Sequence, residues 1–278
     1  MASGAVSVRL QCGCQLGLEV VGRMRGGAQG HLLRCGDNQL YVVKFVNNPQ
    51  GVRILANELL GSRLAAALGL PTAVTALIEV RKELIESSED LVIHHAHGSV
   101  QCQAGLQFGS RFPGASGEIE VYDFLPHEQL CKVTNLTDFV GMFVFDKWTC
   151  NTDGRQAIFF REPGESRYRA QMIDQGFCFN AAEWNFPDAP LRSLYASHSV
   201  YNSVCGIDSF EPWLSRLETQ ITRCVLEGIA CQVPPEWYEF KPEALDRLLA
   251  HLLRRRSLVR QLVYLARNSS AHPFPNWT

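Results

Sequence analysis

The rhythm of apolar residues changes near residue 126, and that change limits the folds open to this chain more than any other feature. Before it, short strand-like runs alternate with glycines: VRLQ, LGLEVVG, QLYVVKFV, TAVTALIEV and EIEVYDFLP, the last closed by Pro126. One helix interrupts them, expected over 50–68 from its apolar spacing and stopped by Gly69 and Pro71. Residues 81–117 are polar and glycine-rich and read as a loop-bearing insertion. After residue 126, apolar residues recur at helical spacing in LTDFVGMFVFDKW, SFEPWLSRLETQITRCVLEGI and PEALDRLLAHLLRRRSLVRQLVYLARN. A hairpin is expected among these helices, where AIFFR and SRYRAQMI flank the turn EPGE. The pattern predicts an α+β chain, strand-rich over 1–126 and mainly helical over 127–278. Its 278 residues suit one large domain or two lobes.

Charge narrows the function classes. With a net charge of −2, nothing electrostatic points to nucleic acid or an anionic membrane as partner. The one basic run, Arg254 to Arg256, is expected to fan around a helix into solvent. The N-terminus has Arg9 and Glu19 and no apolar h-region, and no window approaches a membrane-spanning length, so a soluble cytoplasmic chain is expected. Ten cysteines occur without a C-x-x-C pair and are expected as small buried hydrophobes rather than as metal ligands or disulfides. His94, His95 and His97 sit between a charged and a Gly/Gln-rich stretch and are not taken as a metal cluster.

The chemistry concentrates in FDKWTCNTDGRQAIFF, where a helical run gives way to a polar knot and then a strand. Other groups are arranged around it in a definite order. A glycine-rich segment containing Gly26, Gly27 and Gly30 can bring backbone N–H groups close to an anion. Lys44 follows in a strand, Glu58 on the next helix, Asp153 in the knot, and Asp174 after the hairpin in Asp-Gln-Gly. Each has a reason to be there if phosphate is transferred from ATP. Lys44, held by Glu58, supplies a fixed cation for the triphosphate. Asp174 supplies hard oxygens for Mg²⁺. Asp153 is placed to orient a hydroxyl and take its proton. Asp146, just before the knot, is expected to cap or brace the loop and is the reserve candidate for the carboxylate role.

The string of apolar helix, FDKWTCNTDGRQ, hairpin and IDQG resembles the HipA-like kinases, a branch of the protein-kinase-like fold. YVVKFVNN, NELLGSRLAAALGLP and IEV are similar to the same family's small lobe. The resemblance implies a bilobal protein-kinase-like fold, with an antiparallel-sheet N-lobe (1–126) binding nucleotide and a helical C-lobe (127–278) carrying catalysis. Carried onto this chain, it implies Lys44 as nucleotide lysine, Asp153 as catalytic base and Asp174 as metal ligand. Val121, Tyr122, Asp123 and Phe124 match the hinge that hydrogen-bonds adenine through its backbone. PPEW at 234–237 looks like a helical-lobe element of the family. The family's second Mg²⁺ ligand, an Asn five residues after the catalytic Asp, is replaced here by Ile158; in a loop two residues shorter, Gln156 aligns with it. Gly154 and Arg155 also depart from the family's loop chemistry. The implied cofactors are ATP and Mg²⁺, and the implied activity is a protein Ser/Thr kinase whose acceptor the sequence does not name. Two alternatives stay open: a small-molecule kinase on the same fold, and a pseudokinase that binds nucleotide or a protein partner without chemistry.

Overall fold

A computed structural model describes residues 13–114 and 119–278. The expected first strand, VRLQ at 8–11, and Cys12 lie outside the described residues. The N-terminal part folds as strands β1 (Cys14–Arg23), β2 (His31–Cys35) and β3 (Leu40–Lys44), helix α1 (Arg53–Ala67), strand β4 (Thr75–Val80), helix α2 (Lys82–Ser87), then strands β5 (Val92–His95), β6 (Gly98–Gln101) and β7 (Gly105–Arg111). Five of these close into a barrel in the order β1-β2-β3-β7-β4. Burial alternates with period two along β2 and β4, which puts Leu33, Ala76, Ile78 and Val80 into the barrel core. All the barrel pairings are antiparallel except β1 with β4, where Cys14 lies opposite Leu77 in parallel register. That pairing closes the barrel, so none of its five strands is an open edge.

The reading of 81–117 as loop is corrected here. The segment holds α2, the β5–β6 ribbon and β7, which lies between β3 and β4 in the barrel. GLQFGSR hides its strand character because glycines interrupt it and it has no β-branched residue. At Gly109 the glycine is required: a Cβ there would lie 2.5 Å from Ile78 Cγ1.

The second part begins with β8 (Glu120–Tyr122), shorter than EIEVYDFLP suggests. It pairs with β9 (Gln156–Arg161), which pairs in turn with β10 (Arg169–Ile173). Between β8 and β9 runs α3 (Asp138–Thr149), buried at every position from Phe139 to Thr149. A helix buried on all sides belongs in the middle of a core, and here it is the hub. Just before α3, the Asn135 side-chain amide bonds the N–H and C=O of Ala170 at 2.8 and 2.9 Å, joining the helix approach to β10. Around α3 pack α4 (Trp213–Thr219), α6 (Pro242–Arg255) and α7 (Val259–Arg267), while α5 (Arg223–Ala230) packs on α1 and α6. Each of the two long helices expected from periodicity is thus broken. Thr222 restarts the first, its hydroxyl accepting the Val225 N–H at 3.3 Å, and a 3-10 turn at Arg256–Leu258 divides the second. Helix α1, although encoded in the strand-rich half, contributes Leu55, Leu59, Leu60 and Leu64 to the helical core.

Two further expectations change. Arg255 is buried, not solvated: its guanidinium donates to the carbonyls of Trp148 and Lys147 at 2.9 Å and to Asp188 at 2.8 and 2.6 Å. A helical phase that places Leu252 and Val259 inward carries Arg255 inward with them, and it finds the carbonyls left at the end of α3. Among the described cysteines, Cys35, Cys102, Cys150 and Cys178 are buried as expected, while Cys14, Cys131, Cys205, Cys224 and Cys231 are exposed. Trp237 of the PPEW segment is fully buried and donates to the Leu106 carbonyl of β7, joining the helical part to the barrel. Among the described residues no helix is long and apolar enough to cross a membrane.

Gly141 of α3 faces the Trp213 indole so closely that an added Cβ would overlap its ring. Helix propensity alone favours Ala over Gly by about 1 kcal/mol, but overpacking costs about 1–3 kcal/mol. Gly141→Ala is therefore expected to lower the melting temperature in a thermal scan. An unchanged or raised value would show that Trp213 moves aside freely.

Candidate functional site

Three segments distant in sequence meet at the Lys44 ammonium. Lys44 ends β3, Glu58 lies in the middle of α1, and Asp174 follows β10. The Lys44 Nζ hydrogen-bonds Glu58 Oε1 and lies 2.9 Å from Asp174 Oδ1. Burial works against this ammonium, but the two carboxylates outweigh it and raise its pKa, so Lys44 stays charged. Burial raises the pKa of Glu58 against the pull of Lys44. Asp174 is also pushed up by burial, yet Lys44 and its hydrogen bonds, with Arg155 beyond, prevail and lower it. Glu58 is held from a second side, its two oxygens accepting the backbone N–H groups of Gln175 and Gly176 at 3.0 Å. Asp174 itself adopts left-handed backbone geometry, φ 58°. For a residue with a Cβ this costs on the order of 1–2 kcal/mol, so its position is imposed by what surrounds it.

A second buried pair organises the polar knot. Asp146 is fully buried near the end of α3 and takes the Arg155 guanidinium in bidentate fashion, Nε to Oδ2 at 2.8 Å and Nη2 to Oδ1. Burial disfavours the guanidinium charge and Asp146 more than restores it, raising the Arg155 pKa further. Arg155 then reaches across the hairpin to the Ile173 carbonyl at 2.8 Å and Gln175 Oε1 at 3.1 Å. The loop begins at Cys150, in left-handed geometry with φ 51°. Asn151, anchored on Asp146 Oδ1 at 3.1 Å, accepts the Asp153 N–H at the same distance. Asp153 is thereby turned outward. Its carboxylate accepts the Gly154 N–H at 2.8 Å and the Gln156 amide at 3.2 Å.

These groups line one cleft of about 670 Å³ between the barrel and the helical part, within the size range of small-molecule sites. Gly26, Gly27, Lys44, Glu58, Asp153, Gln156 and Asp174 are on its walls, together with Asp123 and Phe124. Three of the expected residues are placed otherwise. Gly30 packs against β3, where an added Cβ would meet Val42 Cγ1 at 3.2 Å. Val121 and Tyr122 lie opposite Phe160 and Phe159 of β9 and are not part of the cleft wall. Gln156 lies opposite Ile173 in the β9–β10 register, so it is one step from Asp174, whereas Ile158 is a buried apolar residue that cannot bind a cation. The oxygen donors Asp174 and Gln156 suit a hard divalent cation, and Lys44 with the glycine turn suits phosphate, so the residues fit both cofactors.

Several organising residues carry no motif of their own. Arg155 stands in the knot, but nothing local says that its partner is Asp146. Asn57, next to Glu58, has its amide nitrogen within reach of the carbonyls of Gly176, Cys178 and Ala181 at 2.7, 3.1 and 2.8 Å, and its oxygen accepts the Trp184 indole N–H. Lys147 is buried, its pKa lowered to about 8 by that burial, and it donates to the carbonyls of Ala189, Pro190 and Arg192 at 2.8–3.0 Å. Ser193, next in this segment, bonds the Asn151 carbonyl, so 189–193 backs the loop that carries Asp153.

Solved kinases superpose on this chain. The Helicobacter pylori proinflammatory kinase CtkA superposes with a TM-score of 0.53 at 18% identity, over 84% of this chain and 92% of that one. The Golgi casein kinase superposes at 0.52 with 10% identity, over 92% of this chain and 73% of its own, and its form with Mn/ADP bound at 0.51 with 11% identity, over 93% and 73%. The fold is therefore protein-kinase-like. No curated protein is similar enough in sequence to match. A profile of the HipA-like kinases matches residues 18–262, and the chain belongs to that family. Family and fold together support a kinase-type phosphotransferase.

Breaking a buried ion pair by removing one partner costs about 3–5 kcal/mol. Asp146→Asn, which leaves the Arg155 charge without its counter-ion, is expected to destabilise the protein by that order in urea unfolding. Asp146→Leu combined with Arg155→Met is expected to recover most of the loss. If the double variant is no better than the single one, the pair is not the source of the stability.

Proposed function

We propose that this chain is an ATP- and Mg²⁺-dependent phosphotransferase that moves the γ-phosphate to a hydroxyl, with a protein Ser or Thr as the acceptor class. One observation carries the reading: Lys44, clamped between Glu58 and Asp174, shares a cleft with an outward-turned Asp153. In this reading Lys44 and the N–H groups around Gly26 and Gly27 bind the triphosphate, and Asp123 and Phe124 border the base. Asp174 and Gln156 hold Mg²⁺, which when bound neutralises charge on the transferring phosphate. Asp153 orients the acceptor hydroxyl and receives its proton, while the Arg155–Asp146 pair keeps the loop in place. Catalysis of this kind is mostly positioning, which suits a site braced by two buried ion pairs. The Mn/ADP bound to the Golgi casein kinase supports nucleotide and divalent metal as the ligand class.

A second reading has an observation of its own. Gln156 stands in place of the family's Asn and already bonds Asp153, which favours a pseudokinase that binds nucleotide or a protein partner without turnover. A small-molecule kinase would differ only in its acceptor.

Calorimetric titration of ATP with and without Mg²⁺ separates these readings. Mg²⁺-dependent binding that is lost in Asp174→Asn is expected, and no binding by the wild-type chain would sink the nucleotide reading. General acid–base groups contribute roughly 10²–10⁴-fold, so Asp153→Asn is expected to lower phosphate transfer by that order while ATP still binds. Binding without transfer to any Ser/Thr peptide, metabolite or the chain itself would establish the pseudokinase.

A further inference from the structure

We propose that Gln29 is the positioning residue of the glycine-rich turn, and that the β5–β6 ribbon is the support through which it acts. The inference rests on the nucleotide reading of the cleft. The turn between β1 and β2 is closed by the Met24 N–H on the Gly30 carbonyl at 2.8 Å and by the Gln29 N–H on the Gly26 carbonyl at 3.1 Å. Gly26 and Gly27 line the cleft, and Gly26 has φ 123°. Gln29 is also left-handed, φ 48°. Glycine takes that geometry freely and glutamine does not. A turn that already contains three glycines nevertheless keeps a side chain at this strained position.

The structure shows what the side chain does. Gln29 Nε2 donates to the His94 carbonyl at 2.7 Å, and the His94 N–H donates back to Gln29 Oε1 at 2.8 Å. A primary amide has one donor group and one acceptor that match a peptide unit, so the pair acts as one more rung on strand β5. The ribbon is a firm partner. His94 lies opposite Ser99 of β6, with its Nδ1 2.5 Å from Ser99 Oγ. Near its start Arg23 donates to the Val92 carbonyl at 3.2 Å and His31 Nε2 lies 3.0 Å from the Asp90 carbonyl. At its end the Asn47 amide bonds the Gln101 carbonyl and the Gln103 N–H at 2.9 and 3.1 Å. Glycine turns are floppy, and a triphosphate needs their N–H groups in fixed places. The Gln29–His94 pair orders the turn before the ligand arrives, so binding does not have to.

Three chains test this: wild type, Gln29→Met, which removes the amide at nearly constant length, and Arg34→Ala, a control that deletes the exposed Arg34–Glu19 pair on the same hairpin. Amide hydrogen exchange of the ligand-free chains is read over 24–30, and ATP–Mg²⁺ is titrated into each. A net contribution near that of one or two hydrogen bonds corresponds to about tenfold. Gln29→Met is expected to quicken exchange over 24–30 by about that factor with α3 still protected, and to weaken ATP binding to match, appearing in turnover as a raised KM with kcat kept. Arg34→Ala is expected to behave as wild type. Unchanged exchange in Gln29→Met overturns the proposal, as does faster exchange spread evenly over the whole chain. If wild type binds ATP and Gln29→Met binds equally well, the positioning role is refuted while the nucleotide reading stands. If wild type binds no nucleotide, the nucleotide reading fails, and with it the role assigned to Gln29.

Discussion

The Lys44 ammonium, held between Glu58 and Asp174, is the contact on which the rest of the cleft depends. It joins the last residue of a barrel strand to the middle of α1 and to a residue 130 positions away beyond the hairpin. Charges taken out of water are expensive, and a buried pair survives only where the remaining lone pairs are also satisfied. Glu58 meets that condition through the N–H groups of Gln175 and Gly176. The same bonds hold Asp174 in a backbone geometry that it would not choose by itself. One cation with two carboxylates thus ties the barrel to α1 and to the end of the hairpin, and sets the direction in which Asp174 points.

The Asp146–Arg155 pair does for the helical side what Lys44 does for the barrel. The two systems meet at Asp174-Gln175, since the Gln175 N–H goes to Glu58 and its side-chain oxygen receives Arg155. This junction links hub helix, polar loop, hairpin and barrel. Asp153 stands outside the network and is only aimed by it, through Asn151. A carboxylate that works on a ligand has to be reachable, while the groups that aim it have to be dry and rigid.

How much of this was legible in the sequence depended on the distance over which each feature is decided. The order of Lys44, Glu58, Asp153 and Asp174 around a helix and a hairpin was readable, because each sits at a recognisable place in a local pattern. Strand β7 was not, since Gly109 answers to Ile78 and Tyr41 on neighbouring strands and the glycines of the strand break its own alternation. Arg255 was misread because a run of three arginines looks solvated wherever it occurs, and only the carbonyls at the end of α3 with Asp188 make the interior acceptable to it. The expected hinge was half placed: Asp123 and Phe124 reach the cleft, but Val121 and Tyr122 do not.

The sequence by itself determined the α+β order, part of the set of elements and the inventory of chemical groups: period-two and helical spacing, turn residues, a glycine-rich segment, and carboxylates in an order that resembles a kinase family. Those features are encoded within a few residues of one another. The tertiary structure alone decided which charges pair, that the barrel closes through a parallel β1–β4 contact, that α1 joins the helical core, and that a left-handed glutamine is tied to a ribbon 65 residues away. Pairings of that kind depend on desolvation and on the geometry of packed elements. Neither exists until the chain has brought distant segments together.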